Sequence, residues 1–169
     1  ELPALLALAC PLEISYRRLA PGSWSAPYQV WGIENREAAL RLIPTAADGA
    51  AAHLELKVVD LAANPYLLLA AVQAVALDGL EQARSLPPPV SGDPAHLPAG
   101  AAVRLPASLA EASAAFTASA LLRQAFGEDL HASLLDSQAA EVRRCAGLGD
   151  AALAAGDAWW PLVGGVGWD

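Results

Sequence analysis

The chain has 169 residues, a formal net charge of −8 and a hydrophobic fraction of 55%. That length suits one domain with a core of its own, and the acidic balance argues against nucleic acid, which selects surfaces rich in lysine and arginine. The longest apolar run, Leu61 to Leu77, is broken by Asn64, Pro65 and Gln73, so no membrane span is predicted.

Leu2 to Ala9 reads as a short helical run stopped by Pro11. Cys10 and Cys145 give neither a metal spacing nor a disulfide framework, and they are read as buried or incidental thiols of a reducing, cytoplasmic compartment. Ile14 to Leu19, with Ser15-Tyr16-Arg17-Arg18, is taken as extended, so Arg17 and Arg18 face opposite ways. Pro21 to Pro27 is a loop by its Pro, Gly and Ser content. Tyr28 to Ile33, Ala38 to Ile43 and Ala52 to Val59 read as three strands with short links, Glu34-Asn35-Arg36-Glu37 and a turn over Pro44 to Ala50. Short links suggest an antiparallel meander.

In the third strand Leu54, Leu56 and Val58 alternate with His53, Glu55 and Lys57. Asn64 caps the next helix and Pro65 occupies its first position. That helix is apolar almost all round to Leu80, which predicts burial. Pro87-Pro88-Pro89 opens a long Pro- and Gly-bearing loop to about residue 106. Ser108-Leu109-Ala110-Glu111 is a capping box for a helix to about Ser119. Gly127-Glu128-Asp129 starts a last helix, acidic in its first turn, with Arg143 and Arg144 in its last and an apolar face at Leu130, Leu134 and Leu135. The tail from Ala151 to Asp169 fits no pattern.

Three ordered blocks carry a resemblance. They are Ser15-Tyr16-Arg17-Arg18-Leu19-Ala20-Pro21-Gly22, Trp31-Gly32-Ile33-Glu34-Asn35-Arg36 on to Arg41, and Glu55-Leu56-Lys57 followed by Asp60, Ala62-Ala63-Asn64-Pro65-Tyr66-Leu67 and Ala76-Leu77-Asp78-Gly79-Leu80-Glu81. Together they resemble the C-terminal part of the glutamine synthetase catalytic domain, from about residue 2 to about residue 145. The resemblance implies an α+β fold, antiparallel strands followed by packed helices. It makes residues 1–169 the C-terminal part of a catalytic domain whose N-terminal β-domain and first half lie upstream. An opening without methionine agrees with a piece of a longer enzyme, inactive alone.

The implied reaction joins glutamate to ammonia, or to an amine, at the expense of ATP through an acyl phosphate. The implied cofactor is Mg²⁺ or Mn²⁺, and the implied assembly is a homo-oligomer, a dodecamer in the family. By position, Glu55 is the metal ligand. Arg36 and Arg41 are catalytic, the second also nucleotide-binding, since guanidinium groups bind phosphoryl oxygens bidentately. Arg18 matches the family's arginine that recognises the substrate carboxylate, which implies that role here. Lys57, substrate-binding, and His53, nucleotide-binding, both stand where the family usually has arginine. The loop Pro21 to Pro27 departs further: Ser23-Trp24-Ser25 replaces the family's Tyr-Glu, leaving no carboxylate there to receive a proton from ammonium. Trp24 is then expected to cover the apolar part of an organic amine, while loss of catalysis in a structural or regulatory relative is the reading from another class.

Overall fold

Leu2–Ala9 forms helix α1, and every residue of it except Pro3 is buried. It carries apolar side chains on all faces, so it is stable only where neighbours surround it. The computed structural model describes residues 1–154 apart from Trp24 and positions 46–48 and 50, and within them the α+β class holds.

After α1 the chain makes a 3₁₀ turn over Glu13–Arg18, not the extended segment expected. Glu13 explains why it stays compact. Its Oε2 accepts a hydrogen bond from Leu109 N at 3.1 Å, and its own N–H donates to Glu141 Oε1 at 3.4 Å. The turn is thereby stitched to two later helices, one of them at its positive N-terminal end.

The sheet has three strands in the order β1 (Trp31–Ile33), β2 (Leu40–Ile43) and β3 (His53–Leu56), each shorter than read from sequence. β2 and β3 pair antiparallel as expected, but β1 and β2 pair parallel, so the meander is only half right. The cause lies in the link 34–39, far shorter than the dozen or more residues usual between parallel strands. Glu34 has φ 51°. Asn35 Oδ1 accepts from Glu37 N at 2.9 Å. Ala38 and Ala39 are fully buried. The link therefore folds inward and returns to the starting end of β1 instead of reversing.

Helix α2 (Pro65–Glu81) is capped as read, with Asn64 Oδ1 accepting from Tyr66 N and Leu67 N at 3.0 and 3.3 Å. Its expected burial is not seen: Ala71 is its buried residue, while Tyr66 is 85% and Leu80 78% exposed. An all-round apolar helix needs neighbours on every side, and among the described residues α2 meets α1 and one later helix. Helix α3 (Leu109–Ala118) has a modified capping box. Ser108 Oγ accepts from Glu111 N at 3.2 Å, and Glu111 Oε2 reaches one residue further back, to Ala107 N at 2.9 Å.

Helix α4 (Ala120–Phe126) was not foreseen, because Ser119 both ends α3 and caps α4, its Oγ accepting from Leu122 N at 3.1 Å. Helix α5 (Glu128–Cys145) starts after Gly127 at φ 75° as read. Its buried face differs from the expected one: Leu130 is 41% exposed, while His131, Gln138, Glu141 and Cys145 are buried. Leu134 and Leu135 are half-buried against the core. His131 stacks on Phe116 with ring centroids 4.5 Å apart, and its Nε2 lies 3.2 Å from the Phe116 carbonyl oxygen, so an imidazole serves as a core side chain with its polar atom satisfied. A short α6 (Asp150–Ala154) is tied to the first turn by Arg17 Nε and Asp150 Oδ1 at 2.8 Å. The rest of the unplaced tail lies outside the described residues.

Leu6 is fully buried at the centre of this packing. Leu6→Ala should lower stability by about 2–5 kcal/mol, the range for a buried leucine cut to alanine. Denaturant unfolding of the chain should show an earlier midpoint with an unchanged slope.

Candidate functional site

The antiparallel register of β2 and β3 sets Arg41 directly opposite Glu55, and Ile43 opposite His53. Residues opposed across two strands lie within side-chain reach. Arg41 Nη1 and Glu55 Oε2 are 3.2 Å apart, and His53 Nε2 approaches Glu55 Oε1 to 3.8 Å. The expected alternation thus holds where it matters: His53 and Glu55 share a face, and Arg41 joins them from the next strand.

Lys57 continues the row just past β3. Its backbone N–H donates to Ala39 O at 3.0 Å, and its Nζ donates to the Arg36 carbonyl. Burial lowers its ammonium below the ordinary lysine value; Glu37 opposes that shift, Arg41 adds to it, Glu55 opposes it and Arg36 adds to it. Those charges define the cluster. Glu37 and Glu55 act on Lys57 from one sign and Arg36 and Arg41 from the other, so with Lys57 itself there are three cations to two carboxylates. A patch of that sign receives an anionic ligand such as a phosphoryl group.

Arg41 Nε is buried and has no hydrogen-bond partner among the described residues. A buried donor without an acceptor is unfavourable. The Arg41 and Glu55 side chains are 22% and 37% exposed, so ligand can reach them.

Arg18 lies at the end of this row. Its Nη2 donates to Val58 O at 3.2 Å and to Val59 O at 3.4 Å, straight after Lys57. Arg17 turns to Asp150. The two side chains do diverge, but within a 3₁₀ turn rather than along a strand. The Val58 carbonyl also accepts from Cys10 Sγ at 2.9 Å, and burial, with Asp60 nearby, pushes that thiol up to about 12. Cys10 is a neutral donor there and not a nucleophile.

In the loop Pro21 to Pro27, the Ser23 and Ser25 hydroxyls lie 2.7 Å apart and within 2.5 and 3.0 Å of Ala20 O. They fold the loop on itself. Trp24 lies outside the described residues.

The residues present fit a divalent cation only in part. Among the described residues no group of three or more His, Cys, Asp and Glu could hold a metal. Glu55 offers a single carboxylate, one oxygen of which already meets Arg41. A hard cation takes about six oxygen ligands, so most would have to come from elsewhere.

Sequence reasoning missed two residues here. Glu37, given no role in the sequence reading, is 8% exposed and acts on Lys57. Asn35 had no role assigned, yet its side chain makes three hydrogen bonds. The available signal was its place in Glu34-Asn35-Arg36-Glu37, since Asn often turns the backbone on itself.

If the Arg41–Glu55 pair exists mainly to hold the sheet, removing both partners should reveal strong coupling. We expect weak coupling, below about 1 kcal/mol, because both groups touch solvent. A double-mutant cycle with Arg41→Ala and Glu55→Ala, read by unfolding of the chain, measures it.

Against known proteins, the model of the glutamine synthetase catalytic domain matches residues 1–148. The chain is 46% identical over 166 residues to gamma-glutamylpolyamine synthetase GlnA3 of Streptomyces coelicolor, a match covering 94% of this chain and 36% of that protein. It is 32% identical over 143 residues to glutamine synthetase of Thermus thermophilus, covering 81% of this chain and 31% of that protein. Among solved structures, a novel glutamine synthase homolog superposes with a TM-score of 0.77 at 32% identity, over 93% of this chain and 35% of that one. An ADP complex of GmaS gives 0.72 at 29% identity, over 90% and 36%. The chain therefore spans about a third of the length of these relatives.

Proposed function

The chain belongs to the glutamine synthetase catalytic-domain family, a family of ligases, and from that premise we propose that it is part of an ATP-dependent γ-glutamyl ligase whose acceptor is an organic amine, foremost a polyamine. The observation that carries this reading is the 46% identity, over nearly the whole chain, to a protein named for γ-glutamylpolyamine synthesis. The loop Pro21 to Pro27 supports it independently: it holds no carboxylate to take a proton from ammonium, and it holds an indole able to cover an alkyl chain.

In this reading the glutamate side-chain carboxylate attacks the γ-phosphorus of ATP and ADP leaves. The amine nitrogen then attacks the acyl carbon, phosphate leaves, and the nitrogen gives up a proton. Arg36 and Arg41 hold the transferring phosphoryl oxygens with their guanidinium groups. Positioning and charge neutralisation of that kind carry most of phosphoryl transfer. Lys57 and Arg18 hold the amino-acid substrate and His53 the nucleotide. Glu55 would give one oxygen to a Mg²⁺ or Mn²⁺ ion, which supplies charge neutralisation at the phosphates. The remaining ligands, and assembly into a homo-oligomer, belong to a longer chain in the cytoplasm. Retention of Arg36, Arg41 and Glu55 together speaks against a silent relative.

Two measurements on the full-length enzyme test this. Phosphate release dependent on glutamate, assayed with ammonium and a panel of alkyl amines and polyamines, should give the highest kcat/KM with a polyamine. Each methylene contacted should be worth about 1–3 kcal/mol, and Trp24→Ala should penalise long amines more than ammonium. Ammonium as the best acceptor, or an equal loss for all acceptors, returns ordinary glutamine synthesis. Separately, Glu55→Ala should fold normally but weaken Mn²⁺ binding in a direct titration; unchanged affinity would make Glu55 a partner of Arg41 and nothing more.

A further inference from the structure

Glu34-Asn35-Arg36-Glu37 is the turn that presents Arg36, and its own backbone bonds do not hold it alone. Asn35 anchors it to a segment more than fifty residues ahead. Its Nδ2 donates to Val90 O at 2.8 Å and to Gly92 O at 2.9 Å, while its Oδ1 accepts from Glu37 N at 2.9 Å. One side chain thus satisfies the local turn and grips a distant strip of backbone.

The grip continues along β1. Val90 N donates to Trp31 O at 2.8 Å, and Trp31 Nε1 donates to Pro87 O at 2.7 Å. The approach is close enough to require glycine: a Cβ at Gly32 would sit 2.4 Å from Val90 O and 2.7 Å from the Asn35 Cβ. Residues 87–92, rich in proline and therefore stiff, act as a splint beside the first strand. On the other side of the same turn, the Arg36 carbonyl receives Lys57 Nζ.

We propose that Asn35 is a positioning residue for the reaction: by latching its turn to residues 87–92 it fixes where Arg36 stands relative to the phosphoryl group. The part of this that concerns the reaction rests on the ligase reading above; the latch itself does not. A guanidinium stabilises moving charge only when its donors already point at the oxygens, and a misplacement of about 1 Å is enough to lose two orders of magnitude. A side chain that touches no substrate can therefore control the rate.

The test uses the full-length enzyme with Asn35→Ala, Asn35→Asp, Gly32→Ala, Arg36→Ala and the Asn35→Ala/Arg36→Ala double variant. Asn35→Asp keeps the acceptor for Glu37 N and removes the donor to Val90 and Gly92, so it isolates the latch from the local turn. Gly32→Ala keeps the Asn35 amide but crowds both the Val90 carbonyl and Asn35 itself, so it strains the latch from β1. Each of these three should lower kcat about 10-fold to 100-fold, in the range for supporting residues, with a smaller change in KM for the amine. The double variant should be no slower than Arg36→Ala alone. Multiplying losses in the double variant, or a wild-type kcat for Asn35→Asp, would overturn the proposal. Hydrogen exchange of the peptides covering 34–40 and 87–92 needs no activity. Both should lose protection together in Asn35→Asp and Gly32→Ala; loss in one without the other would refute the latch even if the enzyme proved to catalyse something else.

Discussion

Burial of α1 is the constraint on which the other elements depend. A helix built from leucine and alanine on all sides has no polar face to give to water, so each neighbouring element is fixed by the need to cover it. α3 lies along it, α2 touches it, and Gln138 of α5 sends Nε2 to Ala7 O at 3.4 Å. The same helix reaches the charged cluster through its C-terminal end. Ala9 O accepts from Asp60 N at 3.0 Å, and Cys10 Sγ donates to Val58 O. The chain bearing Glu55 and Lys57 is therefore moored to the core directly after Lys57, at Val58 and again at Asp60. The proposed role in holding phosphoryl oxygens calls for such a rigid base.

The charges themselves are arranged by strand register. One residue of slip between β2 and β3 would send Arg41 to the opposite face from Glu55. The site is thus specified by backbone hydrogen bonds more than by attraction between the side chains, and the pairing of Arg41 with Glu55 follows from the ladder instead of creating it. Arg36 is the exception, since it sits in a link and not in a strand, and that is why it needs support from outside the sheet.

How much of this was legible in the sequence depended on whether the deciding physics was local. The alternation His53-Leu54-Glu55-Leu56-Lys57, the Asn64 cap and the Gly127 start are short-range patterns, and each appears where the residues put it. The parallel pairing of β1 with β2 was not legible, because it turns on a left-handed Glu34 and on burial of Ala38 and Ala39, which no propensity signals. Nor was the inward face of α5. His131 and Glu141 look like solvent residues until Phe116, Glu13 and Arg144 supply their partners. The Arg18 geometry depended on a 3₁₀ turn held by Glu13, a contact across 96 positions of sequence. The family's motifs marked the charged residues without regard to any of this, since they record chemistry and not packing.

The bare side of α2 has a consequence for the chain in solution. Tyr66, Leu69, Leu77 and Leu80, with Leu61 before them, leave a band of apolar surface in water, of the kind that draws molecules together. A net charge of −8 opposes that attraction by mutual repulsion. Repulsion of this sort reaches about 10 Å at 0.1 M salt and about 3 Å at 1 M, whereas apolar attraction strengthens with excluded salts such as sulfate. Colloidal behaviour of the isolated chain is therefore governed by ionic strength: dilute buffer keeps copies apart, and concentrated salt lets the exposed leucines find one another.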